Sequence, residues 1–389
     1  MRRDLIAHHL ELSLRESLQA PRLRLIELVG ERPAVDEQRE PWIPIKYGPA
    51  RADDWFGVVR ATARYERAPG LAAESLDLAI KVNPRQGLAR TLIPWIVENK
   101  GIALDRPYSD YRRSAESDRT GARERNIYAL AAASPTLARV LPRCYGSCAD
   151  DTTGEQALFI EYATDVARLD ASGAEADWPP ELIDRALQAA ASWQAEFWDI
   201  GPERLSWPGP RPTTADMIAD APLWRGMLDD AHRRFPDIVT DGVWRRRLAL
   251  IDSLGDWFPA KDRLPATLAH NDFNQRNVGF RPGVLVLDWE LVEFNTAHRD
   301  LAEMLTFVLP EDAGRDQVDA HLERHRATLV EMGVTKGTDR DAWVEGFRSE
   351  VKTEAIDRIS LQFLFGAAFP LAYLVRINRN IERLLDMYG

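Results

Sequence analysis

Hydrophobic residues recur at intervals of three or four positions near the start of the chain. They are Leu5, Ile6, Leu10, Leu14 and Leu18. This spacing places apolar side chains on one face of an α-helix, and it predicts a helical segment over residues 1–30. Three prolines between positions 33 and 44 then interrupt the pattern. We therefore expect residues 1–40 to form a helical extension.

The next region carries short apolar runs, bounded by turn residues, that are typical of β-strands. The three clearest runs end at Tyr65, Val82 and Tyr162. A helical pattern over residues 121–133 lies between the second run and the third. Together these elements predict a small β-rich N-lobe over residues 41–165.

After residue 166 nearly every patterned segment has the helical period. The helical segments are 181–199, 214–234, 241–257, 313–332, 340–356 and 358–386. One stretch with strand character, residues 276–290, interrupts them. Strands followed by a large helical region predict an α+β fold with two lobes, of which the helical C-lobe covers residues 166–389.

Charge is distributed unevenly along the chain. The 389 residues include 50 Lys and Arg and 61 Asp and Glu, which gives a net charge of −11. Residues 1–150 carry a net charge of +4, and residues 151–389 carry a net charge of −15. The acidic total argues against a nucleic-acid-binding protein, which needs a basic surface. The acidic second region gives a weak preference for a cationic small-molecule partner.

Cysteine content and hydropathy limit the possibilities further. Cys144 and Cys148 neither supply a disulfide framework nor have the spacing of a zinc site. The most apolar stretch, residues 359–375, contains Gln362 and Pro370, and we interpret it as buried helix rather than as a membrane segment. The start of the chain has no secretory leader pattern. The sequence thus predicts a cytoplasmic protein without a membrane partner, and it leaves the oligomeric state open.

One segment is especially informative about chemistry. It reads His270-x-Asp272-x4-Asn277, and an apolar run over residues 284–287 then ends at Asp288. Carboxylate and amide oxygens are the hard ligands that Mg²⁺ prefers. Bound Mg²⁺ neutralises phosphate oxygens, and a second carboxylate can orient a hydroxyl for attack. The pattern therefore predicts metal-assisted phosphoryl transfer, with a capped loop and a structural pair of acids as the alternative.

This segment resembles the catalytic core of the aminoglycoside phosphotransferase and choline kinase-like superfamily, relatives of the protein kinases. The resemblance covers roughly residues 42–310 and implies a two-lobed protein-kinase-like fold that uses ATP and Mg²⁺. It implies that Asp272 is the catalytic base and that His270 buttresses the loop. Asn277 would hold Mg²⁺, and Asp288 would bridge the metal to the ATP phosphates.

A kinase needs a phosphate-binding lysine and a glutamate that pairs with it. Lys81 follows an apolar run in a predicted strand, and a lysine there resembles the kinase lysine that contacts the α- and β-phosphates. Glu124 lies on the mostly apolar side of its predicted helix, where a lone acid requires a cationic partner. Glu116 is the second choice for the glutamate that pairs with Lys81. Glu290 could assist the metal, although a solvent-exposed position is at least as compatible with the sequence.

The segment Glu161-Tyr162-Ala163 looks like the hinge whose backbone binds adenine, although an ordinary core strand fits equally well. The loop from Gly48 to Phe56 sits where a phosphate-covering loop belongs, yet it is not rich in glycine, and Arg51 could supply charge there instead. Two further positions depart from the pattern of the family. They are Gln194, where relatives often have histidine, and Asn271, where glycine is common.

The sequence therefore predicts an ATP-dependent kinase that phosphorylates a hydroxyl group of a small molecule. The acceptor is open, and an aminoglycoside-like antibiotic or an amino alcohol are the first candidates. Trp193, Phe197 and Trp198 could form an aromatic cage for a choline-like amine, but their helical spacing is more typical of core packing. The alternative is a pseudokinase, a nucleotide-binding regulatory module without turnover.

Overall fold

The computed structural model describes residues 1–31, 54–84, 88–112, 120–170, 173, 178–201 and 203–389. The chain divides into two compact units. The first, which we call the sheet unit, comprises Met1–Leu92 and Asp118–Asp165. The second, which we call the helical unit, comprises Ile93–Ser117 and Val166–Gly389.

The elements that begin in the sheet unit include both helices and strands. In chain order they are α1 (Arg3–Ser17), β1 (Arg24–Glu31), β2 (Gly57–Glu66), β3 (Glu74–Asn83), α2 (Leu88–Asn99), α3 (Thr120–Ala131), α4 (Pro135–Val140), β4 (Cys144–Ala149) and β5 (Gln156–Glu161). The five strands form one antiparallel sheet in the order β1-β2-β3-β5-β4. The three strands expected from the sequence are therefore present, together with two that were not expected.

Alternation along the strands gives this sheet one apolar face and one mixed face. On β2 the even-numbered residues 58–64 are exposed and the odd-numbered residues 59–65 are buried. The buried face packs against Leu10 and other apolar residues of α1 in one hydrophobic core. Val58 pairs with Lys81 across β2 and β3, so Lys81 lies on the opposite face from this core.

The expectation that residues 1–30 are helical is wrong beyond Ser17. The helix ends there, Gln19 adopts a left-handed conformation with a φ of 51°, and β1 follows. The backbone of β1 pairs with β2, so part of the expected extension over residues 1–40 belongs to the sheet. Residues 24–29 alternate too weakly for sequence alone to distinguish strand from helix, and pairing with β2 decides the outcome.

The helical unit contains mostly helices with short strands between them. In chain order they are α5 (Pro180–Glu196), α6 (Thr214–Arg234), α7 (Asp241–Asp252), α8 (Leu254–Asp262), β6 (Thr267–Ala269), β7 (Val278–Phe280), β8 (Val284–Val286), β9 (Glu293–Asn295), α9 (His298–Val308), α10 (Arg315–Glu331), α11 (Arg340–Ile356), α12 (Arg358–Gly366) and α13 (Leu374–Tyr388). Strand β6 pairs with β9, and β7 pairs with β8, both antiparallel. The predicted α+β class is thereby confirmed.

Two of the expected helices are each divided in the structure. The pattern over residues 241–257 becomes α7 and α8, which Ser253 separates. The pattern over residues 358–386 becomes α12 and α13, with Pro370 in the connection, because proline cannot continue the hydrogen-bonding of a helix. Within the described residues, no helix combines the length and apolar character needed to cross a membrane.

One boundary between the compact units coincides with the predicted boundary between the lobes, and another does not. The sheet unit ends at Asp165 and the helical unit resumes at Val166, where we expected the N-lobe over residues 41–165 to end. Residues 93–117 are grouped with the helical unit, although we placed them in the N-lobe. The helix α2 crosses this division, which falls between Leu92 and Ile93.

Candidate active site

Lys81 and Glu124 form a buried ion pair in the sheet unit. Nζ of Lys81 lies 2.8 Å from Oε2 and 2.9 Å from Oε1 of Glu124. The side chain of Glu124 is 1% exposed and that of Lys81 is 14% exposed. Nδ2 of Asn83, which follows Lys81 on β3, donates to Oε2 of Glu124 at 3.3 Å. The pairing expected from the helix face of Glu124 is present, and a role for it in nucleotide binding stays a prediction.

Close packing brings α3 against β3 at this ion pair. A Cβ atom at Gly121 would lie 2.9 Å from Cβ of Asn83, so a larger residue there would displace the helix. The helix therefore depends on glycine at this position to hold Glu124 beside the strand. Glu116, the second choice as partner, falls outside the described residues, and so does Arg51 with most of the loop expected to cover the phosphates.

Of the three predicted hinge residues, Glu161 is the last residue of β5, and Tyr162 and Ala163 follow it. The backbone N–H of Glu161 donates to the carbonyl of Arg143 at 2.8 Å, and its carboxylate accepts from the N–H of Arg143 at 3.1 Å. The guanidinium of Arg60 lies over the ring of Tyr162, 4.6 Å from its centroid. The backbone of Ala163 forms no hydrogen bond to any described residue.

In the helical unit, residues 270–277 form a loop between β6 and β7, which we call the catalytic loop. His270 is fully buried beneath it. Nδ1 of His270 accepts from the N–H of Asp272 at 3.2 Å, so Nε2 carries the proton and donates to the carbonyl of Leu287 at 2.9 Å. His270 thus joins the catalytic loop to the end of the β7–β8 hairpin, which is the supporting position that the resemblance implies.

Asp300, in the first turn of α9, binds the backbone at the start of the catalytic loop. Its carboxylate accepts from the backbone N–H groups of His270 and Asn271, each at 3.0 Å. It also accepts from Nε2 of Gln194 at 2.9 Å. Burial raises the pKa of Asp300, against the effect of these donors. Gln194, which departs from the family pattern, therefore donates to the carboxylate that anchors the loop.

Asn271 shows why its departure from glycine is tolerated. Its φ is 61°, in the left-handed region that glycine occupies most readily and that asparagine enters more readily than most other residues. Nδ2 of Asn271 donates to the carbonyl of Leu291 at 3.0 Å, a bond that glycine cannot make. The sequence reasoning noticed this position but did not foresee its conformation.

The carboxylate of Asp272 accepts hydrogen bonds on both oxygens. Oδ1 accepts from Arg358, from Arg276 at 3.1 Å and from Asn274 at 2.9 Å. Oδ2 accepts from Nδ2 of Asn277 at 2.7 Å. Burial opposes ionisation of this group, but the guanidiniums of Arg358 and then Arg276 outweigh it and lower the pKa of Asp272 to about 2. The carboxylate is therefore ionised throughout the physiological range.

Asn277 and Asp288 offer oxygen atoms that suit Mg²⁺. Nδ2 of Asn277 donates twice to Asp272, and Oδ1 of Asn277 accepts no hydrogen bond from the described residues. The N–H of Leu287 donates to the carbonyl of Asn277 at 2.8 Å, so Asn277 and Asp288 stand at the same end of the β7–β8 hairpin. An amide oxygen and a carboxylate match the hard-ligand preference of Mg²⁺, and the donor set fits this metal.

Asp288 occupies a left-handed conformation, with a φ of 61° and a ψ of 59°. This conformation costs a residue other than glycine about 1 kcal/mol, and such outliers concentrate at functional sites. The residues after Asp288 form a 3₁₀ turn over Trp289–Leu291, so the expectation that Glu290 continues the strand is wrong. Carboxylate oxygens of Asp288 and Glu290 nevertheless lie within 4.8 Å of each other.

Sequence reasoning missed the groups that surround Asp272. Arg276 lies inside the motif but was given no role, and Arg358 lies far from it in the chain. Glu303, on α9, is fully buried and accepts from both Asn274 and Arg358. Burial raises the pKa of Glu303. A buried acid within a helix that also carries Asp300 was a signal available in the sequence, whereas nothing local distinguished Arg358.

The three aromatic residues considered for an amine cage have other roles. Trp193 is fully buried, and its ring packs edge-on against Phe273 and Trp289, 5.5 and 5.1 Å away between centroids. Phe197 is also buried. Nε1 of Trp198 donates to the carbonyl of Lys336 at 3.1 Å. Trp193 thus packs in the core against Phe273 of the catalytic loop, and Phe197 is also a core residue, as their helical spacing suggested.

Comparison with known proteins gives one family match. The family model described as phosphotransferase enzyme family matches residues 108–334, which is well over half of the chain. No curated protein matches. Similar solved structures include a type VIII aminoglycoside-3′-phosphotransferase, 17% identical with a TM-score of 0.36, over 88% of this chain and 99% of that one.

Two further similar structures are kinases named for other acceptors. A glucosamine kinase is 15% identical with a TM-score of 0.46, and the match covers 94% of each chain. The choline kinase LicA from Streptococcus pneumoniae is 12% identical with a TM-score of 0.44, over 97% of this chain and 99% of that one. None of these likenesses identifies the acceptor of this chain.

Proposed function

Because the chain belongs to the phosphotransferase enzyme family, we propose that it is a kinase that transfers the γ-phosphate of ATP to a hydroxyl group of a small molecule. One observation carries the proposal. The catalytic loop holds a buried, ionised Asp272 whose Oδ2 adjoins the amide of Asn277, while the amide oxygen of Asn277 keeps its acceptor capacity. Because this oxygen has no partner among the described residues and is accessible to solvent, a metal ion can reach it.

In the proposed reaction Asp272 orients the acceptor hydroxyl. The hydroxyl oxygen forms a bond to the γ-phosphorus, the bond from that phosphorus to the bridging oxygen of ADP breaks, and the hydroxyl proton passes to Asp272 and then to solvent. A carboxylate with a pKa of about 2 is a weak base. Asp272 therefore acts chiefly by holding the hydroxyl in line and receives the proton late, which suits a loose phosphoryl-transfer transition state.

Asn277 and Asp288 would hold Mg²⁺ through their side-chain oxygens. When bound, this metal neutralises charge on the phosphate oxygens. Lys81 would contact the phosphates, with Glu124 fixing the direction of its ammonium group. The backbone of Ala163 would bind adenine, and support comes from its lack of hydrogen bonds to the described residues. Val58, which is 52% exposed on the same sheet face as Lys81, offers an apolar surface for the base.

The proposed acceptor is an aminoglycoside-like antibiotic or an amino alcohol. The groups nearest to Asp272 are the two guanidiniums of Arg276 and Arg358. Because these groups are cationic, the acidic composition of residues 151–389 by itself is a poor guide to the charge of the acceptor. Neutral polyols therefore belong in the test beside amines. An ATP-dependent enzyme requires a compartment that contains ATP, and we propose the cytoplasm.

The test is consumption of ATP in the presence of Mg²⁺ and a panel of hydroxylated antibiotics, sugars and amino alcohols. The variant Asp272→Asn should lower turnover at least 100-fold, because it removes the group that orients and deprotonates the hydroxyl. Its affinity for ATP should stay within about twofold of the parent. Asp312→Asn is the matched control, because Asp312 is an exposed acid of the same unit and should leave turnover unchanged.

Each result of this test has a distinct meaning. Turnover with one acceptor, lost in Asp272→Asn and retained in Asp312→Asn, supports the kinase and the role of Asp272. Turnover that survives in Asp272→Asn rejects the assignment of the base. Tight binding of ATP without turnover on any acceptor or on water would instead favour the alternative, a regulatory pseudokinase.

A further inference from the structure

Arg358, the first residue of α12, contacts Asp272 although 86 positions separate them in the chain. Its side chain is 6% exposed. Nη2 of Arg358 donates to Oδ1 of Asp272 and, at 3.1 Å, to Oε1 of Glu303. Nε of Arg358 donates to the same oxygen of Glu303 at 3.2 Å. A single guanidinium thus ties the catalytic loop to α9.

The two oxygens of Asp272 are not equivalent. Oδ1 receives three donors, from Arg358, Arg276 and Asn274. Oδ2 receives one donor from the described residues, the amide of Asn277. A carboxylate oxygen has two lone pairs, so Oδ1 is saturated and Oδ2 retains capacity for a further hydrogen bond. The cluster therefore distinguishes one oxygen for an incoming hydroxyl.

Buried side chains on α9 and α11 fix the position of Arg358. Oε2 of Glu303 lies 3.2 Å from Nη2 of Arg299, and Nη1 of Arg299 contacts Glu354 on α11. Glu303 and Glu354 are fully buried and Arg299 nearly so. Because Arg299 holds Glu303 and Glu303 accepts two hydrogen bonds from Arg358, Arg358 has little freedom to turn away from Asp272.

Resting on the phosphotransfer proposed above, we infer that Arg358 is a positioning residue that orients the Asp272 carboxylate so that Oδ2 accepts the acceptor hydroxyl. Arg358 does not touch the acceptor itself. Without it, the plane of the carboxylate can rotate away from this orientation, and the hydroxyl loses its in-line direction. Small misplacements of this kind reduce rates by about 100-fold. The loss falls on the chemical step, because the binding of ATP does not depend on this rotation.

The test compares Arg358→Met, Arg358→Lys and a control variant at a second buried arginine. Arg247 is 1% exposed, and it donates to Glu382 at 2.8 and 2.9 Å and to Asn378 at 2.7 Å. Arg247→Met thus removes an equally buried and paired guanidinium that has no contact with the catalytic loop. For each variant, kcat, the KM for ATP and the melting temperature are measured, with water as the acceptor until a better one is known.

Arg358→Met should lower kcat about 100-fold while the KM for ATP stays within about twofold. Arg358→Lys should recover part of kcat, since its ammonium can donate to Oδ1 but cannot also span Glu303. Arg247→Met should lower the melting temperature without changing kcat or KM. The inference is overturned if Arg358→Met lowers kcat no more than Arg247→Met does, or if kcat falls and KM rises by the same factor.

A second measurement does not need turnover. In the cycle of Asp272→Asn, Arg358→Met and the double variant, the changes in melting temperature should be clearly non-additive, because both single changes break one contact. Additive changes overturn the inference. Absence of turnover in the parent with every acceptor rejects the proposed function, and the cycle still reports on the contact. Normal turnover with additive changes rejects Arg358 as the positioning residue and leaves the proposed function standing.

Discussion

The candidate site residues lie on regular secondary structure in the sheet unit and mainly on a loop in the helical unit. In the sheet unit, Lys81 lies on a strand of ten residues and Glu124 on a helix of twelve. In the helical unit, the catalytic loop lies between strands of three residues each, and Asn271 and Asp288 are both left-handed. Regular hydrogen-bonded elements hold the first pair, whereas the second set depends on side chains that bind backbone groups.

This difference predicts different responses to substitution. A strand or helix keeps its shape when one side chain is replaced, because the backbone hydrogen bonds remain. The catalytic loop has few bonds of that kind, and Asp300, His270 and Asn271 supply the missing ones. Changes in the sheet unit should therefore affect binding or rate, while changes at the loop should affect stability as well.

The largest effect is expected at Asp300. Asp300→Ala removes the acceptor of two backbone donors and of the amide of Gln194, and all three stay buried. Because each buried donor left unpaired costs about 1–3 kcal/mol, the free energy of unfolding should fall by at least about 3 kcal/mol. Activity should be lost with it. Urea denaturation and ATP consumption measure the two effects.

Asp262→Ala is the control for Asp300. Asp262 also accepts from a backbone N–H and a side chain, those of Thr214, at 3.1 and 2.6 Å, but it lies outside the catalytic loop. It should cost about 1 kcal/mol and leave activity intact. Equal losses of stability for the two variants would show that the loop is not specially dependent on side-chain anchors.

The next effect is expected at Lys81, and it should fall mainly on activity. Lys81→Met removes the cation proposed to contact the phosphates, so kcat/KM for ATP should fall about 100-fold. The melting temperature should fall by several degrees, because Glu124 stays buried without its cationic partner. The chain should still fold, since β3 keeps its neighbours on both sides, and adding Glu124→Gln should restore part of the lost stability without restoring activity. Arg64→Met is the control, since Arg64 is an exposed cation on the same face of the sheet. Unfolding of Lys81→Met would contradict the contrast between the two units.

The contrast also explains how far the sequence could be interpreted. The strand with Lys81 and the helix with Glu124 were predictable, because alternation and helical period fix which side chains point inward. The α+β class was predictable for the same reason, and membership of the phosphotransferase family was predictable from the motif around Asp272; both are confirmed. β4 was not, since Cys144-Tyr145-Gly146-Ser147-Cys148-Ala149 has no β-branched residue.

Around the catalytic loop, prediction succeeded only where a motif fixed the spacing. Asp272 and Asn277 were found because they lie five residues apart in one short loop, and Nδ2 of Asn277 donates to Oδ2 of Asp272 at 2.7 Å. Arg358 was not found, because its contact with Asp272 depends on how α12 packs and leaves no local pattern. Asp300 received no role from the sequence, because its hydrogen bonds to the backbone of His270 and Asn271 depend on how α9 packs.

Acid sensitivity should come from the helical unit. His298 and His325 are buried against Trp343, with ring centroids 4.0 and 5.6 Å from its ring, and burial lowers the pKa of each to about 3. The unfolded chain binds protons at these histidines below about pH 6.5, and the folded chain does not. Stability should therefore fall as pH decreases from about 6.5 towards 3, by up to about 1.4 kcal/mol per pH unit for each histidine.

His325→Phe should make the pH dependence of the unfolding free energy less steep over this window. His8→Asn, at an exposed histidine of α1, should leave it unchanged. Urea denaturation at pH 7, 6 and 5 gives the slopes. Identical slopes for the parent and for His325→Phe would mean that protonation of His325 does not oppose folding.

The smallest effect compares two left-handed residues, one in each unit. Gln19 follows α1 with a φ of 51° and is exposed, so Gln19→Gly should relieve strain and stabilise the chain by up to about 1 kcal/mol. Asn271→Gly relieves similar strain but loses the bond to the carbonyl of Leu291, so it should be neutral or slightly destabilising. Thermal denaturation of both variants measures the difference. A stabilising Asn271→Gly would mean that the side chain of Asn271 contributes nothing to the loop, and that its backbone alone determines the conformation.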